Sequence, residues 1–251
     1  MKTVNSAKNS HFLECLRESR LKATLPVIAE IKVYTPKNGD LLKDRTVEYV
    51  ASCYERSGMA CLSVVTGHWF KGSLPLLKQV SAVTRLPILR KDFIVTRSGL
   101  ELSKTLGASA VLLTKQLIDS RVLNKLADYA LNLGMTPFIE VGTAEEISEL
   151  RVDQEVILAV CNRDIKTRET DEGGIDKSLM LLAAAKSSGA GLVVSASAIE
   201  NSSQAKLLLD AGYDGLLIGT AFLQATDLTV ELEKFRDGLR TESVTFFSAG
   251  K

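Results

Sequence analysis

The chain has 251 residues, of which 45% are hydrophobic and 24% are charged, as is usual for a folded globular protein. Its 31 basic residues exceed its 30 acidic residues by one, and they are spread along the chain. Because positive charge is not concentrated anywhere, the sequence does not favour binding to nucleic acid or to an anionic membrane. A small-molecule partner is the expectation.

The cysteines and the first residues indicate a cellular location. Cys15, Cys53, Cys61 and Cys161 are widely spaced and form no C-x-x-C pair, so we interpret them as reduced thiols. The first twenty residues lack the apolar segment of a signal peptide, and no apolar run approaches the roughly 20 residues of a membrane span. We therefore expect a cytoplasmic protein.

Residues 1–24 are predicted to form a short helical lid that covers one end of the fold. Eight short apolar segments after this extension are predicted to be strands. In chain order they are VIAEI (27–31), CLSVV (61–65), PILR (87–90), SAVLLT (109–114), TPFIEV (136–141), VILAV (156–160), GLVVSA (191–196) and GLLIG (215–219).

Helices are predicted between these strands. Their signals are apolar stripes with helical spacing and glycines where a left-handed residue would end a helix. The clearest stripe is Val122, Leu123, Leu126, Ala130 and Leu133, and the glycines are Gly58, Gly107, Gly134, Gly189 and Gly212. The last helix is predicted over 227–240, followed by a loosely ordered tail over 241–251.

Eight strand-helix units in about 250 residues match the closed parallel barrel, so we predict one α/β domain over residues 1–251, a (β/α)8 TIM barrel. A doubly wound open sheet is the alternative, but the sequence lacks the glycine-rich dinucleotide loop of that fold.

Active sites of such barrels form at the carboxyl ends of the strands, where this chain places many polar residues. In chain order these are Glu30, Lys32, Thr66, Arg90, Lys91, Thr114, Lys115, Glu140, Cys161, Asn162, Arg163, Ser195, Ser197, Gly219 and Thr220. One such lysine alone would more often be structural. Two glutamates and two lysines from three strands indicate a site, because buried charges are costly unless they are paired.

The last two strand ends are rich in serine, glycine and threonine, which predicts a phosphate site built from backbone N–H groups. The small polar residues Asn201, Ser202 and Ser203 could instead cap the next helix, and the two interpretations are compatible. No metal or cofactor is expected, because His11 and His68 are isolated and no acidic cluster has ligand spacing.

Seven motifs together resemble the indole-3-glycerol phosphate synthase family, in the family's order and spacing, from about Leu25 to Phe222. They are VIAEIKVYTPKNG, FKGSLPLL, LPILRKDFIV, GASAVLLT, LGMTPFIEV, NRDIKT and GYDGLLIGTAF. The resemblance implies an eight-stranded barrel that closes the pyrrole ring of an anthranilate-derived deoxyribulose phosphate, with loss of carbon dioxide and water.

The resemblance also implies roles for single residues. Lys91 is expected to protonate the substrate ketone, and Lys32 to engage the substrate carboxylate. Glu140 is expected to manage the loss of water, and Glu30 to hold the lysine. The remaining contacts implied are Phe70, Phe93, Asn162, Arg163 and Cys161 to the substrate, and Thr35, Ser197, Gly219 and Thr220 to its phosphate.

The chain departs from the family pattern at several of these positions. Cys161 stands where the family ordinarily has asparagine, Ala196 where it has glutamate and Ala198 where it has glycine. In the first loop, Val33 replaces an arginine and Lys37 replaces a serine. Cys161 is interpreted as filling space, with a reactive thiol near the lysines as the alternative.

Three functions remain open from the sequence. The first is the family reaction. The second is that of a related enzyme in a specialised pathway, which acts with altered chemistry on a similar aminodeoxyribulose phosphate or its product. The third is that of a non-catalytic barrel that binds a phosphosugar. We favour the first, because its catalytic residues are retained. A monomer or a weak homo-oligomer is expected.

Overall fold

Eight parallel strands close into a barrel in the computed structural model, which describes residues 12–19, 22, 24–164 and 173–240. The barrel strands are β1 (Leu25–Ile31), β2 (Met59–Val65), β3 (Ile88–Lys91), β4 (Ala110–Thr114), β5 (Thr136–Val141), β6 (Ile157–Cys161), β7 (Leu192–Ala196) and β8 (Gly215–Ile218). All eight overlap the predicted segments, so the predicted (β/α)8 barrel is confirmed.

The barrel closes because β1 pairs with both β2 and β8, with Glu30 opposite Ser63 and Ala29 opposite Ile218. Side chains of a strand alternate between its two faces. Ile28 therefore packs in an apolar cluster inside the barrel, whereas Ala29 packs in a second cluster beneath the surrounding helices. Glu30 follows Ile28 on the inner face, which is why its charge faces the barrel interior.

One helix precedes β1, and at least one helix follows each of the eight strands. They are α1 (Phe12–Ser19), α2 (Val47–Arg56), α3 (Leu74–Val83), α4 (Arg97–Thr105), α5 (Ser120–Asn132), α6 (Ala144–Ser148), α7 (Asp176–Ser187), α8 (Ser202–Ala211), α9 (Thr220–Leu223) and α10 (Leu228–Arg240). The five glycines predicted to end helices all have positive φ. Asn201 caps α8 by accepting a hydrogen bond from the backbone N–H of Gln204 at 3.0 Å, as the alternative for that segment predicted.

Helix α1 covers the amino-terminal end of the barrel. The backbone N–H of Leu13 donates to Thr136 Oγ1 at 3.4 Å, and Leu16 packs against Gly215, where an added Cβ would come within 3.0 Å of the leucine side chain. Thr136 and Gly215 begin β5 and β8. The described part of the predicted lid therefore lies at the end opposite the polar strand ends; the predicted tail, 241–251, lies outside the described residues.

Two short elements lie above the carboxyl ends of β1 and β2. A two-stranded hairpin pairs Tyr34–Thr35 with Gly39–Asp40, and a 3-10 turn spans His68–Phe70. The sequence analysis predicted neither of them. Within the described part of the chain, no helix is both long and apolar enough to cross a membrane.

We expect Leu16→Ala to lower the free energy of unfolding by about 3 kcal/mol, because Leu16 is fully buried between α1 and the barrel. Urea denaturation measures this change. The control is Arg17→Ala in the same helix, since the Arg17 side chain is 44% exposed. Equal stability of the two variants would show that α1 does not pack on the barrel as described.

Candidate active site

Glu30 lies at the centre of the charged side chains at the carboxyl ends of the strands. It is only 2% exposed. Its Oε1 atom is 3.1 Å from Lys32 Nζ, and its Oε2 atom is 3.2 Å from Lys91 Nζ. Lys32 reaches Glu30 from just beyond the same strand, whereas Lys91 comes from the end of β3. One buried carboxylate thus bridges two ammonium groups.

The two lysines decide the charge state of Glu30. Burial by itself raises the pKa of a carboxyl group, because the charged form loses its hydration. Here the attraction of Lys32 and Lys91 and their hydrogen bonds outweigh burial and lower the pKa of Glu30 from its ordinary 4.5 to about 2. Glu30 is therefore ionised at neutral pH and compensates one of the two positive charges of the lysines.

An aromatic cavity of about 360 Å³ opens beside this ion-pair cluster. Trp69 and Phe93 form one wall, with their rings stacked at 4.5 Å between centroids and 19° between planes. Phe70 lies beneath the Lys32 ammonium, which is 5.4 Å from the ring centroid. The opposite side carries Lys91 from β3 and Glu140 from the end of β5.

A polar cavity of about 300 Å³ lies on the other side of the cluster. Glu30 and Lys32 contribute to its floor, and Ser197 and Arg163 line both this cavity and the aromatic one. Gly219 and Thr220, at the start of α9, form a further part of its wall. The two cavities are thus neighbours, with the charged cluster at their junction.

Gly219 makes room for Glu30. A Cβ atom at Gly219 would lie 2.8 Å from both Cβ and Oε1 of Glu30, closer than such atoms approach. The backbone of Gly219 is therefore packed directly against the Glu30 side chain. A larger residue here would displace Glu30 from its two lysines.

Comparison with known proteins shows the family of the chain. The sequence profile of the family described as indole-3-glycerol phosphate synthase matches residues 1–235. The chain belongs to the indole-3-glycerol phosphate synthase family. It is 38% identical over 211 residues to the indole-3-glycerol phosphate synthase of Pyrococcus furiosus, a match covering 84% of this chain and 91% of that protein. The enzyme of the same name from Carboxydothermus hydrogenoformans is 38% identical over 221 residues, covering 88% of this chain and 82% of that one.

Solved structures support the fold alone. A 3-hexulose-6-phosphate synthase from Salmonella typhimurium superposes with a TM-score of 0.64 at 15% identity, covering 85% of this chain and 97% of that one. A mutant tryptophan synthase α-subunit from Pyrococcus furiosus gives a TM-score of 0.61 at 13% identity, covering 85% of this chain and 96% of that one. Both values fit a shared barrel architecture.

Two residues that the resemblance placed at the substrate, Thr35 and Asn162, are hydrogen-bonded within the protein. Thr35 is fully buried, and its hydroxyl accepts hydrogen bonds from the backbone N–H and the side-chain amide of Asn38, both at 3.1 Å. Asn162 donates to Ser195 Oγ at 3.1 Å and to the carbonyl of Ser197 at 3.0 Å, and its Oδ1 accepts from the backbone N–H of Ser178 at 3.0 Å.

The side-chain polar groups of Thr35 and Asn162 are thus hydrogen-bonded to other groups of the protein. Neither residue lines the aromatic or the polar cavity. Direct contact of Thr35 and Asn162 with the substrate stays a prediction; in the structure, Thr35 shapes the turn of the first loop, and Asn162 joins the ends of β6 and β7.

Cys161 lines the aromatic cavity at the position where the family has asparagine. Burial, followed by the nearby negative charge of Glu140, raises the pKa of its thiol to about 12, and the opposing effect of Lys91 is smaller. The thiol donates a long hydrogen bond to Ser197 Oγ at 3.8 Å. The raised pKa and this hydrogen bond favour the interpretation of Cys161 as a protonated residue that fills space.

Just after β7 the backbone has a conformation that favours glycine, although the residues there are serine and alanine. Ser197 and Ala198 both adopt left-handed backbone conformations, with φ of 69° and 54°. Such a conformation costs a residue with a side chain about 1 kcal/mol or more relative to glycine. Ala196, directly before them, is fully buried in the apolar cluster inside the barrel, so no carboxylate enters the site from β7.

Sequence reasoning missed several residues that line the polar cavity. Lys37 and Asn38 come from the turn of the hairpin, Glu200 follows β7 and Gln224 follows α9. Lys37 was noted only as a departure from the family. The others lie in loops whose paths a single sequence does not determine, so no pattern in the sequence pointed to them.

Gly219→Ala should lower the rate of the family reaction at least about tenfold, because the new Cβ would push Glu30 away from its lysines. Gly174→Ala is the control, since a Cβ there meets nothing closer than 4.0 Å. Steady-state rates of both variants, with circular dichroism to verify folding, measure the effect. An active Gly219→Ala enzyme would contradict the need for this close approach.

The stability of the protein should depend on Glu30 in acid. Because its pKa is about 2 in the folded protein and ordinarily 4.5, its ionised form stabilises the fold above pH 4.5, and this contribution is lost as the pH falls toward 2. We expect the free energy of unfolding to fall less steeply across this window in Glu30→Gln than in the wild type. Urea denaturation at several pH values measures both slopes, with Glu233→Gln on the exposed face of α10 as the control. Equal slopes for Glu30→Gln and wild type would refute the assignment.

Proposed function

We propose that the chain catalyses the reaction of its family. It would close an anthranilate-derived carboxyphenylamino deoxyribulose phosphate to an indole glycerol phosphate, releasing carbon dioxide and water. The family match and the names of its relatives make the chain a decarboxylating, cyclising lyase of tryptophan biosynthesis. A phosphorylated small molecule is accordingly its substrate. No comparison favours the altered enzyme or the non-catalytic barrel, and the predicted cytoplasmic location and oligomeric state remain proposals.

The observation that carries the proposal is the position of the ion-pair cluster. An apolar aromatic cavity lies on one side of it and a polar cavity on the other, and together they suit a substrate with an aromatic ring at one end and a phosphate at the other. The reacting carbons of such a substrate would then lie beside Glu30, Lys32 and Lys91. A purely structural barrel has no evident need for three buried charges at that point.

Lys91 is suited to be the general acid. Its side chain is 15% exposed and lines the aromatic cavity, whereas the Lys32 side chain is only 3% exposed. The Lys91 side chain thus borders the space in which the aromatic end of the substrate would lie. Lys91 can therefore donate a proton to the ketone oxygen as the ring carbon attacks the ketone carbon and the new carbon-carbon bond forms. Lys32, between the two cavities, would hold the carboxylate that leaves as carbon dioxide.

Glu140 is suited to the dehydration step. It is buried at the end of β5 and faces the same cavity as Lys91. After decarboxylation the former ketone oxygen is a hydroxyl group, which must leave as water while the neighbouring ring carbon, bonded to the nitrogen, loses a proton and the ring double bond forms. A carboxyl group at this place can exchange the protons of that step. Phe70 and Phe93 would pack against the aromatic ring throughout.

The phosphate would lie in the polar cavity. Ser197, Gly219 and Thr220 line it, and α9 begins at Thr220. Backbone N–H groups at the start of a helix have no partner within the helix and attract anions. Arg163 lines both cavities and adds positive charge between the two ends of the substrate.

We expect Lys91→Met to lower kcat at least about 100-fold, because the ketone oxygen would lose its proton donor. Formation of indole glycerol phosphate, followed by indole fluorescence, measures the rate. Lys125→Met, an exposed lysine on α5, removes the same charge away from the site and should match the wild type. A Lys91→Met enzyme that keeps more than about a tenth of the wild-type rate would place the general acid elsewhere.

A further inference from the structure

The hairpin above β1 brings a lysine to the polar cavity. Lys37 lies in the turn between Thr35 and Gly39, is exposed, and lines the cavity together with Ser197, Gly219 and Thr220. Among the described residues, no carboxylate lies within ion-pair distance of it. Lys32, by contrast, is held by Glu30 at 3.1 Å.

The turn that carries Lys37 is built by specific hydrogen bonds. Asn38 donates to the buried hydroxyl of Thr35 from both its backbone N–H and its side-chain amide, and the backbone N–H of Leu41 donates to the carbonyl of Val33 at 2.8 Å. Gly39 has a φ of 69°, the left-handed value that favours glycine. The backbone around Lys37 is therefore defined by its own contacts.

The same loop is bound to the end of α9. Gln224 Nε2 donates to Asn38 Oδ1 at 2.7 Å, and Lys43 Nζ donates to the carbonyl of Gln224 at 2.8 Å. The Arg45 guanidinium donates to the carbonyl of Leu223 and, at 3.4 Å, to that of Ala225. These bonds hold the hairpin beside the short helix whose first residues line the polar cavity.

A phosphate group in the polar cavity would require positive charge in the cavity lining. Glu30 is paired with Lys32 and with Lys91, and the cavity lining also includes Arg163 and the exposed Glu200. A phosphate monoester carries close to two negative charges at neutral pH. Lys37 is a cation of this lining, and no carboxylate of the described chain lies within ion-pair distance of it.

We propose that Lys37 binds the phosphate group of the substrate, from the hairpin side of the polar cavity. The inference rests on the proposed function for the identity of the substrate, whereas the site itself is that of a phosphate monoester or of inorganic phosphate. The lysine acts on binding and not on the chemical step, because the ring-closing groups Lys91 and Glu140 line the other cavity.

The test compares Lys37→Met, Lys37→Arg and the control Lys78→Met, which removes an exposed lysine on α3. We expect Lys37→Met to raise KM about tenfold with kcat within about twofold of wild type, as for the loss of one charge-assisted contact. Lys37→Arg should restore most of the affinity, and the dependence of KM on ionic strength should be weaker in Lys37→Met. A KM in Lys37→Met equal to that of Lys78→Met would overturn the proposal.

Titration calorimetry with inorganic phosphate separates this proposal from the proposed function. If the wild type forms no indole product, phosphate binding still tests Lys37. Weaker binding of phosphate to Lys37→Met than to the wild type and Lys78→Met supports the site. Equal binding to all three proteins, or no binding to any of them, overturns it.

Discussion

The ion pairs of Glu30 with Lys32 and Lys91 are the interaction on which the site depends. A buried carboxylate and two lysines are each costly to remove from water, and they are tolerated because the carboxylate lies between the two ammonium groups and forms an ion pair with each. The cluster also joins β1 to β3 at the end of the barrel where the cavities open. The position of Glu30 also requires a glycine at residue 219, directly after β8, because any side chain there would collide with Glu30.

The two ends of the barrel serve different purposes. At the amino-terminal end, α1 covers the strands with apolar side chains such as Leu16, and that packing stabilises the fold. At the carboxyl end, the structure places the charged cluster and the two cavities. Cys161 and Ala196, two of the positions that depart from the family pattern, end β6 and β7 at this carboxyl end.

The departures from the family concern groups around the charged cluster rather than the cluster itself. Cys161 contributes a protonated thiol in place of an amide, and Ala196 contributes no carboxylate. Lys37 adds a positive charge at the polar cavity, where the hairpin is held against α9 by Asn38 and Gln224. Glu30, Lys32 and Lys91 and the aromatic cavity beside them are thus present, and the departures lie in residues around them.

The sequence by itself determined the eight strands, the helix-ending glycines and the grouping of Glu30, Lys32, Lys91 and Glu140 at one end of the barrel. Those features follow from short periodic patterns, and a parallel barrel places all strand ends together. Only the tertiary structure decided which polar side chains face the cavities. Thr35 turns inward to Asn38, because hydrogen bonds between loops depend on paths that no local pattern specifies. The same reason explains why the roles of the hairpin and the raised pKa of Cys161 became visible only in the folded chain.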